Sequence, residues 1–191
     1  MMRIMLIDEN MERALTLKQA LCEAGNEVVF ESSSALDMIK RVAETQPDMI
    51  IIDTESPSRD TLEHLAAVHR DQPRPIVMFT HDGESDKIKA ALHAGVSSYI
   101  VNGLDPSRIK PILDVAISRF EAYQAMRLQL DKANTTLAER KIIERAKGIL
   151  MKQRNFNEED AFQAMRKTSM ERSLKMSELA QQIIAISELL T

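Results

Sequence analysis

Three acidic positions and a hydroxyl fall where they could act together. Asp8 ends the apolar run RIMLID (3–8) and Glu9 follows it; Asp53 ends DMIIID (48–53), and Thr80 ends RPIVMFT (74–80). Carboxylates gathered at one edge would suit a hard cation such as Mg2+, which takes oxygen ligands. A nearby hydroxyl could meet a phosphoryl oxygen. Asp8, Glu9 and Asp53 are therefore candidate Mg2+ ligands. Taken singly, each is explained as a polar residue closing a buried strand; the convergence is what makes a site.

A second group is basic. AERKIIERAKGILMKQR (138–154) holds six Lys and Arg against two Glu, a net of +4. From Ala138 to Thr191 there are 10 Lys+Arg and 8 Asp+Glu, a net of +2, whereas the rest carries 15 against 21, a net of -6. Such asymmetry points to a tail that meets a polyanion; the plainer alternative is a solvated helix face. Gly148 sits inside this helical stretch, where glycine costs about 1 kcal/mol relative to alanine. It is expected to admit close approach by a neighbouring helix or backbone.

The elements that must position these groups follow from periodicity. NEVVFE (26–31) and SSYIVN (97–102) join the three runs above as strands, separated by segments of helical spacing such as Leu62, Leu65, Ala66 and His69. Near-continuous apolar strands alternating with helices predict a five-stranded parallel sheet covered on both faces, a doubly wound α/β domain. In such sheets ligands sit at the carboxyl ends of the strands, where the acids lie. Asp105-Pro106-Ser107 opens a long helix, with Pro111 in or near its first turn. Ala116, Tyr123, Leu130 and Leu137 recur every seven residues, with Leu113 and Phe120 filling the seam and Arg127 and Asn134 breaking it. A seven-residue apolar repeat favours a coiled coil, hence a homodimer; the alternative is a helix that packs on its own domain.

Three amphipathic stretches follow. Ile142, Ile143, Ala146, Ile149 and Leu150 form one apolar arc of roughly 120° at 100° per residue, bordered by Lys141, Arg145 and Lys152 on one flank and by Arg140, Lys147 and Arg154 on the other. Asn157 is a good N-cap for a second helix with Ala161, Phe162, Met165 and Thr168 inward. Met176, Leu179, Ala180, Ile183, Ile184 and Leu190 line a third. Together they predict a small all-α bundle. The division is 1–104, a receiver-like α/β domain; 105–136, a long coiled-coil helix; and 137–191, the three-helix domain.

Composition is that of an ordinary globular chain, 44% apolar and 28% charged over 191 residues, which excludes disorder. No apolar run approaches the ~20 residues of a membrane span, and a signal peptide is not expected. Cys22 alone fits a reducing compartment, so an intracellular, cytoplasmic protein is expected. His64, His69, His81 and His93 show no metal-ligand spacing, and no nucleophile has a base beside it, so an enzyme is not expected.

The residues also carry a resemblance. Asp8-Glu9, Asp53 with Pro57, Thr80 and Tyr99 resemble a response-regulator receiver domain, which implies Asp53 as the phospho-acceptor position and Asp8 and Glu9 as metal ligands. Receivers normally place a lysine after the fifth strand, and here Asn102 stands instead, the mark of a pseudo-receiver. Arg140, Ile143, Glu144, Ala146-Lys147-Gly148-Ile149-Leu150-Met151, Glu159-Asp160-Ala161-Phe162, Arg166, Met170 and Leu179-Ala180 resemble the ANTAR domain, an RNA-binding three-helix module. The whole resembles the AmiR/NasT family, and its NasT branch most in DTESPSRD (53–60), RDQPRPIVMFT (70–80) and AQQIIAISELL (180–190). The resemblance implies antitermination. The tail would hold tandem stem-loops in leader RNA, under control of a NasS-like nitrate or nitrite sensor protein, and no cofactor would be required. Candidate RNA contacts are Arg140, Lys141, Arg145, Lys147, Lys152, Arg166 and Arg172, since cations neutralise phosphates. Phe162 is expected in the core, not as a stacking platform. A phosphorylation-dependent response regulator acting on RNA or DNA is the alternative.

Overall fold

The computed structural model describes residues 1–102 and 108–189. Asp105-Pro106-Ser107, Gly103 and Leu190, with the 104/105 division, lie outside the described residues. The chain divides into two compact units, Met1–Gln124 and Ala125–Thr191.

In the first unit the five apolar runs are strands: β1 (Arg3–Asp8), β2 (Glu27–Ser32), β3 (Met49–Thr54), β4 (Ile76–Thr80) and β5 (Ser98–Val101). All pairs are parallel and the order is β2-β1-β3-β4-β5. This is a doubly wound topology with a switch point between β1 and β3. Alternation along each strand divides the core in two. Ile4, Leu6, Met49, Ile51, Val77 and Phe79 meet α1 (Met11–Glu23) and the start of α5 (Ile109–Arg154). Met5, Ile7, Ile50, Ile52, Ile76 and Met78 meet α2 (Met38–Thr45), α3 (Arg59–Asp71) and α4 (Ser85–His93). Burial on both faces explains why the central strands are apolar at every position until they reach their polar ends.

The second unit holds the rest of α5 with α6 (Glu158–Glu171) and α7 (Met176–Leu189). The side chain of Asn157 caps α6, accepting from the Asp160 amide at 2.8 Å. Glu158, Glu159 and Asp160 suit the positive end of that helix. Ala146, Met165, Leu179 and Ala180 form the buried centre, with Ile142, Ile143, Leu150, Met176, Ile183 and Ile184 packed around it. Among the described residues no helix is long and apolar enough to cross a membrane.

Candidate functional site

The parallel pairing of β1 with β3 sets Asp8 directly opposite Asp53. Both are buried, at 3% and 5% exposure. Two carboxylates this close need a positive charge, and Arg13 supplies it. Its Nη2 lies 3.2 Å from Oδ1 of Asp8 and 3.5 Å from Oδ1 of Asp53. Asn10 makes this possible. Its side chain caps α1, accepting from the amides of Glu12 and Arg13, while its own amide donates to Oδ1 of Asp8 at 2.8 Å. Arg13 thus falls in the first turn of α1, beside the strand ends. A cation there opposes the helix dipole, so its place is set by the two acids. Burial and the charge of Asp8 still push the Asp53 carboxyl up from 3.8 to about 6, against the pull of Arg13 and His81.

The other expected pocket residues are placed differently. Thr80 is buried, and its hydroxyl donates to the Glu55 carbonyl at 2.8 Å and accepts from the Asp82 amide. Glu9 is exposed and accepts from the Thr54 hydroxyl at 3.4 Å. Asn102 is exposed and takes a left-handed conformation (φ 66°) that Asn tolerates; its amide donates to the Thr80 carbonyl. Tyr99 donates to the Asp82 carbonyl at 2.8 Å. The donor set does not fit the expected three-carboxylate Mg2+ site. Oδ2 of Asp8 is buried without a hydrogen-bond partner, as a metal ligand would be. The guanidinium, however, already stands against both buried acids, and Glu9 is exposed, unlike the two acids. Among the described residues no group of three or more His, Cys, Asp or Glu side chains is placed to hold a metal ion.

In the second unit the expected RNA contacts separate into two kinds. Lys147 is buried, at 7% exposure, with Nζ 2.9 Å from Glu144 and 2.8 Å from Glu158. It ties α5 to the start of α6 and holds the Glu158 carboxyl below its usual range. That arrangement does not suit a phosphate contact. Arg145 pairs with Glu188 at 2.7 Å, both well exposed, an arrangement of small net worth. Arg140, Lys141, Lys152, Arg166 and Arg172 are exposed, as is Arg154, and their side chains have no acid partner among the described residues. Two expectations about packing fail. Phe162 is 39% exposed, and Ser169, one turn after Met165, is the buried member of that face. A Cβ on Gly148 would meet nothing within 4 Å among the described residues, so none of the described elements approaches it.

Comparison with known proteins decides the first unit. Residues 4–114 match the response regulator receiver domain. The chain belongs to that family. Residues 131–184 match the ANTAR domain. The chain is 27% identical over 182 residues to the transcriptional regulatory protein PdtaR of Mycobacterium tuberculosis, spanning 95% of this chain and 89% of that protein. It is 26% identical over 117 residues to the chemotaxis protein CheY of Listeria monocytogenes, covering 61% of this chain and 98% of the other. Among solved structures, the signal receiver domain of a modulated diguanylate cyclase from Desulfovibrio desulfuricans G20 superposes with a TM-score of 0.57 at 15% identity. It covers 64% of this chain and 98% of that one, a likeness of fold alone. A receiver domain is thus followed by a long helix and an ANTAR domain.

The heptad seam also divides. In the receiver unit Leu113 and Ala116 are buried in the core against α1 and the sheet, so they are not free for a partner helix. Phe120 is half-buried, and Tyr123, 51% exposed, lies 5.5 Å ring to ring from His69. Between 125 and 138 every residue is exposed, Leu130 and Leu137 included. The burial of Leu113 and Ala116 matches the alternative of a helix packed on its own domain, whereas nothing in the sequence pattern pairs Arg13 with Asp8 and Asp53. The one available signal for Arg13 was its charge at a helix start.

Proposed function

We propose that the chain is an antiterminator, whose ANTAR domain holds tandem stem-loops in a nascent leader RNA so that a terminator hairpin cannot form. The observation that carries this reading is the surface of the ANTAR unit. Arg140, Lys141, Lys152, Arg166 and Arg172 stand exposed, without acid partners among the described residues, in a chain whose net charge is -4. Such cations suit a polyanion. The exposed apolar residues Leu130 and Leu137 support a homodimer through the long helix, because an isolated helix with no buried face is marginal in water.

Control comes through protein contact. Arg13 already bridges Asp8 and the acceptor position Asp53, and Asn102 replaces the lysine that would pair with an aspartyl phosphate. The resemblance to the NasT branch supplies the partner, a NasS-like sensor of nitrate or nitrite, and nitrate assimilation genes as targets. The phosphorylation-dependent alternative has one observation in its favour, the pairing of Asp8 with Asp53 at the carboxyl ends of β1 and β3.

The test is binding of the full chain to a two-stem-loop leader RNA across a salt series, with loop-scrambled RNA and duplex DNA as controls, and light scattering alongside. Loop-dependent, steeply salt-dependent binding by a dimer is expected. Equal binding to DNA would replace this reading with that of an ordinary response regulator. Loss of induction in Asp53→Asn would restore phosphorylation as the signal.

A further inference from the structure

A glycine inside a long helix needs a reason, because it gives up about 1 kcal/mol of helix stability relative to alanine. Gly95 has one in the fold. Its φ is +95°, and a Cβ there would lie 2.3 Å from the His69 ring. Gly148 has neither feature. It lies within α5, and a Cβ would meet nothing within 4 Å among the described residues. The space above it is open.

What borders that space is charged. At about 100° per residue, Lys141, Lys152 and Arg145 fall within roughly 60° of Gly148 on one side. Lys141 and Lys152 are exposed and have no acid partner among the described residues. Arg145 shares Glu188 at 2.7 Å, with both side chains 61% exposed. On the other side Glu144 is drawn to Lys147 at 2.9 Å, and Met151 is 38% exposed. A bare strip of helix backbone therefore lies beside three cations, on a helix whose opposite face is core.

We propose that Gly148 is the point of closest approach of the RNA sugar–phosphate backbone, with Lys141, Arg145 and Lys152 as its phosphate contacts. This rests on the RNA-binding reading above and adds the surface and the contact geometry. A phosphate ridge can lie against a glycine about one methyl group nearer than against any other residue. The cations beside it reach phosphates on the same strand, which positions the RNA without reading its bases. The missing side chain serves the ligand and not the fold.

The proposal makes stability and binding move in opposite directions. In the full chain, Gly148→Ala should melt at a higher temperature, since alanine favours the helix and has room. It should bind the two-stem-loop RNA about tenfold or more weakly, a loss of roughly 1.4 kcal/mol. Gly148→Leu should bind more weakly still. Neither should change the salt slope, because no cation is lost, whereas Lys152→Ala should lower it by about 1. Gly148→Ala with full RNA affinity would overturn the proposal, and so would a lower melting temperature, which would place the reason for glycine inside the fold. A wild-type chain that binds no RNA would overturn the antiterminator reading itself, and this inference with it.

Discussion

The two charged regions of this chain treat their cations in opposite ways. In the receiver pocket Arg13 is turned inward onto Asp8 and Asp53. On the ANTAR unit Arg140, Lys141, Lys152, Arg166 and Arg172 are turned outward, with no acid partner among the described residues. Lys147 shows that the outward arrangement is not forced by a shortage of acids, for it collects two of them. A charge satisfied within the fold holds elements together and has little left for a ligand. A charge left unsatisfied keeps its full attraction for one. The difference teaches that counting basic residues does not locate a polyanion site; asking which of them the fold has already neutralised does.

The largest effect should come from breaking the inward case. Arg13→Ala leaves two buried carboxylates facing one another. At pH 7.5 we expect a loss of about 1–3 kcal/mol of receiver stability, reduced from the fully buried limit because Arg13 is 29% exposed. Calorimetry of the full chain would read it. Removing the guanidinium also vacates the cation position, so an excess of Mg2+, a hard cation that takes carboxylate oxygens, should stabilise Arg13→Ala and leave the wild type unmoved. A wild type stabilised as much by Mg2+ as the variant would show that Arg13 does not stand in for a metal.

A second effect follows from Asp53. Its carboxyl is raised from 3.8 to about 6 by burial and by Asp8. The folded state therefore holds a proton that the unfolded state has released, and the contribution of this group to stability falls as pH rises between about 4 and 6. The loss is complete about one unit above the folded value, near pH 7. Asp53→Asn should remove it, making the variant more stable than the wild type at pH 7.5 by about 1–2 kcal/mol. The gap should close as the pH falls toward 4. A constant gap across that range would mean that Asp53 does not carry the pH dependence.

The fold was largely legible because its signals are local. RIMLID, DMIIID and the other runs are apolar at nearly every position because β1 and β3 are covered on both faces. The Asn157 cap and the EED start of α6 are helix chemistry that needs no tertiary information. The site was less legible because its pairings are long-range. Arg13 and Asp53 meet across forty positions, and only the pairing of β1 with β3 brings them together. Helical spacing put Lys147 on a cationic flank, but it could not show that the turn before α6 returns Glu158 to it. Leu113 and Ala116 satisfy the heptad repeat and the receiver core equally well by pattern, and the α1 contact that decides between them is again distant in sequence.

The smallest effect separates the two kinds of cation within one helix. Lys147→Met removes the charge and keeps most of the buried aliphatic stem. Its partners Glu144 and Glu158 are 66% and 72% exposed, so they can return to water. The expected loss of stability is only about 1 kcal/mol, the scale of a pair whose carboxylates stay wet. RNA affinity should fall no further than that change explains, and the dependence of log K on log salt should keep its wild-type slope. Lys152→Ala, five positions on, should leave the melting temperature almost unchanged and flatten the slope by about 1. If Lys147→Met flattened the slope as well, the ion pairs with Glu144 and Glu158 would have to open when RNA binds. Lys147 would then belong with the outward cations, a residue that the free protein holds inward and the complex releases.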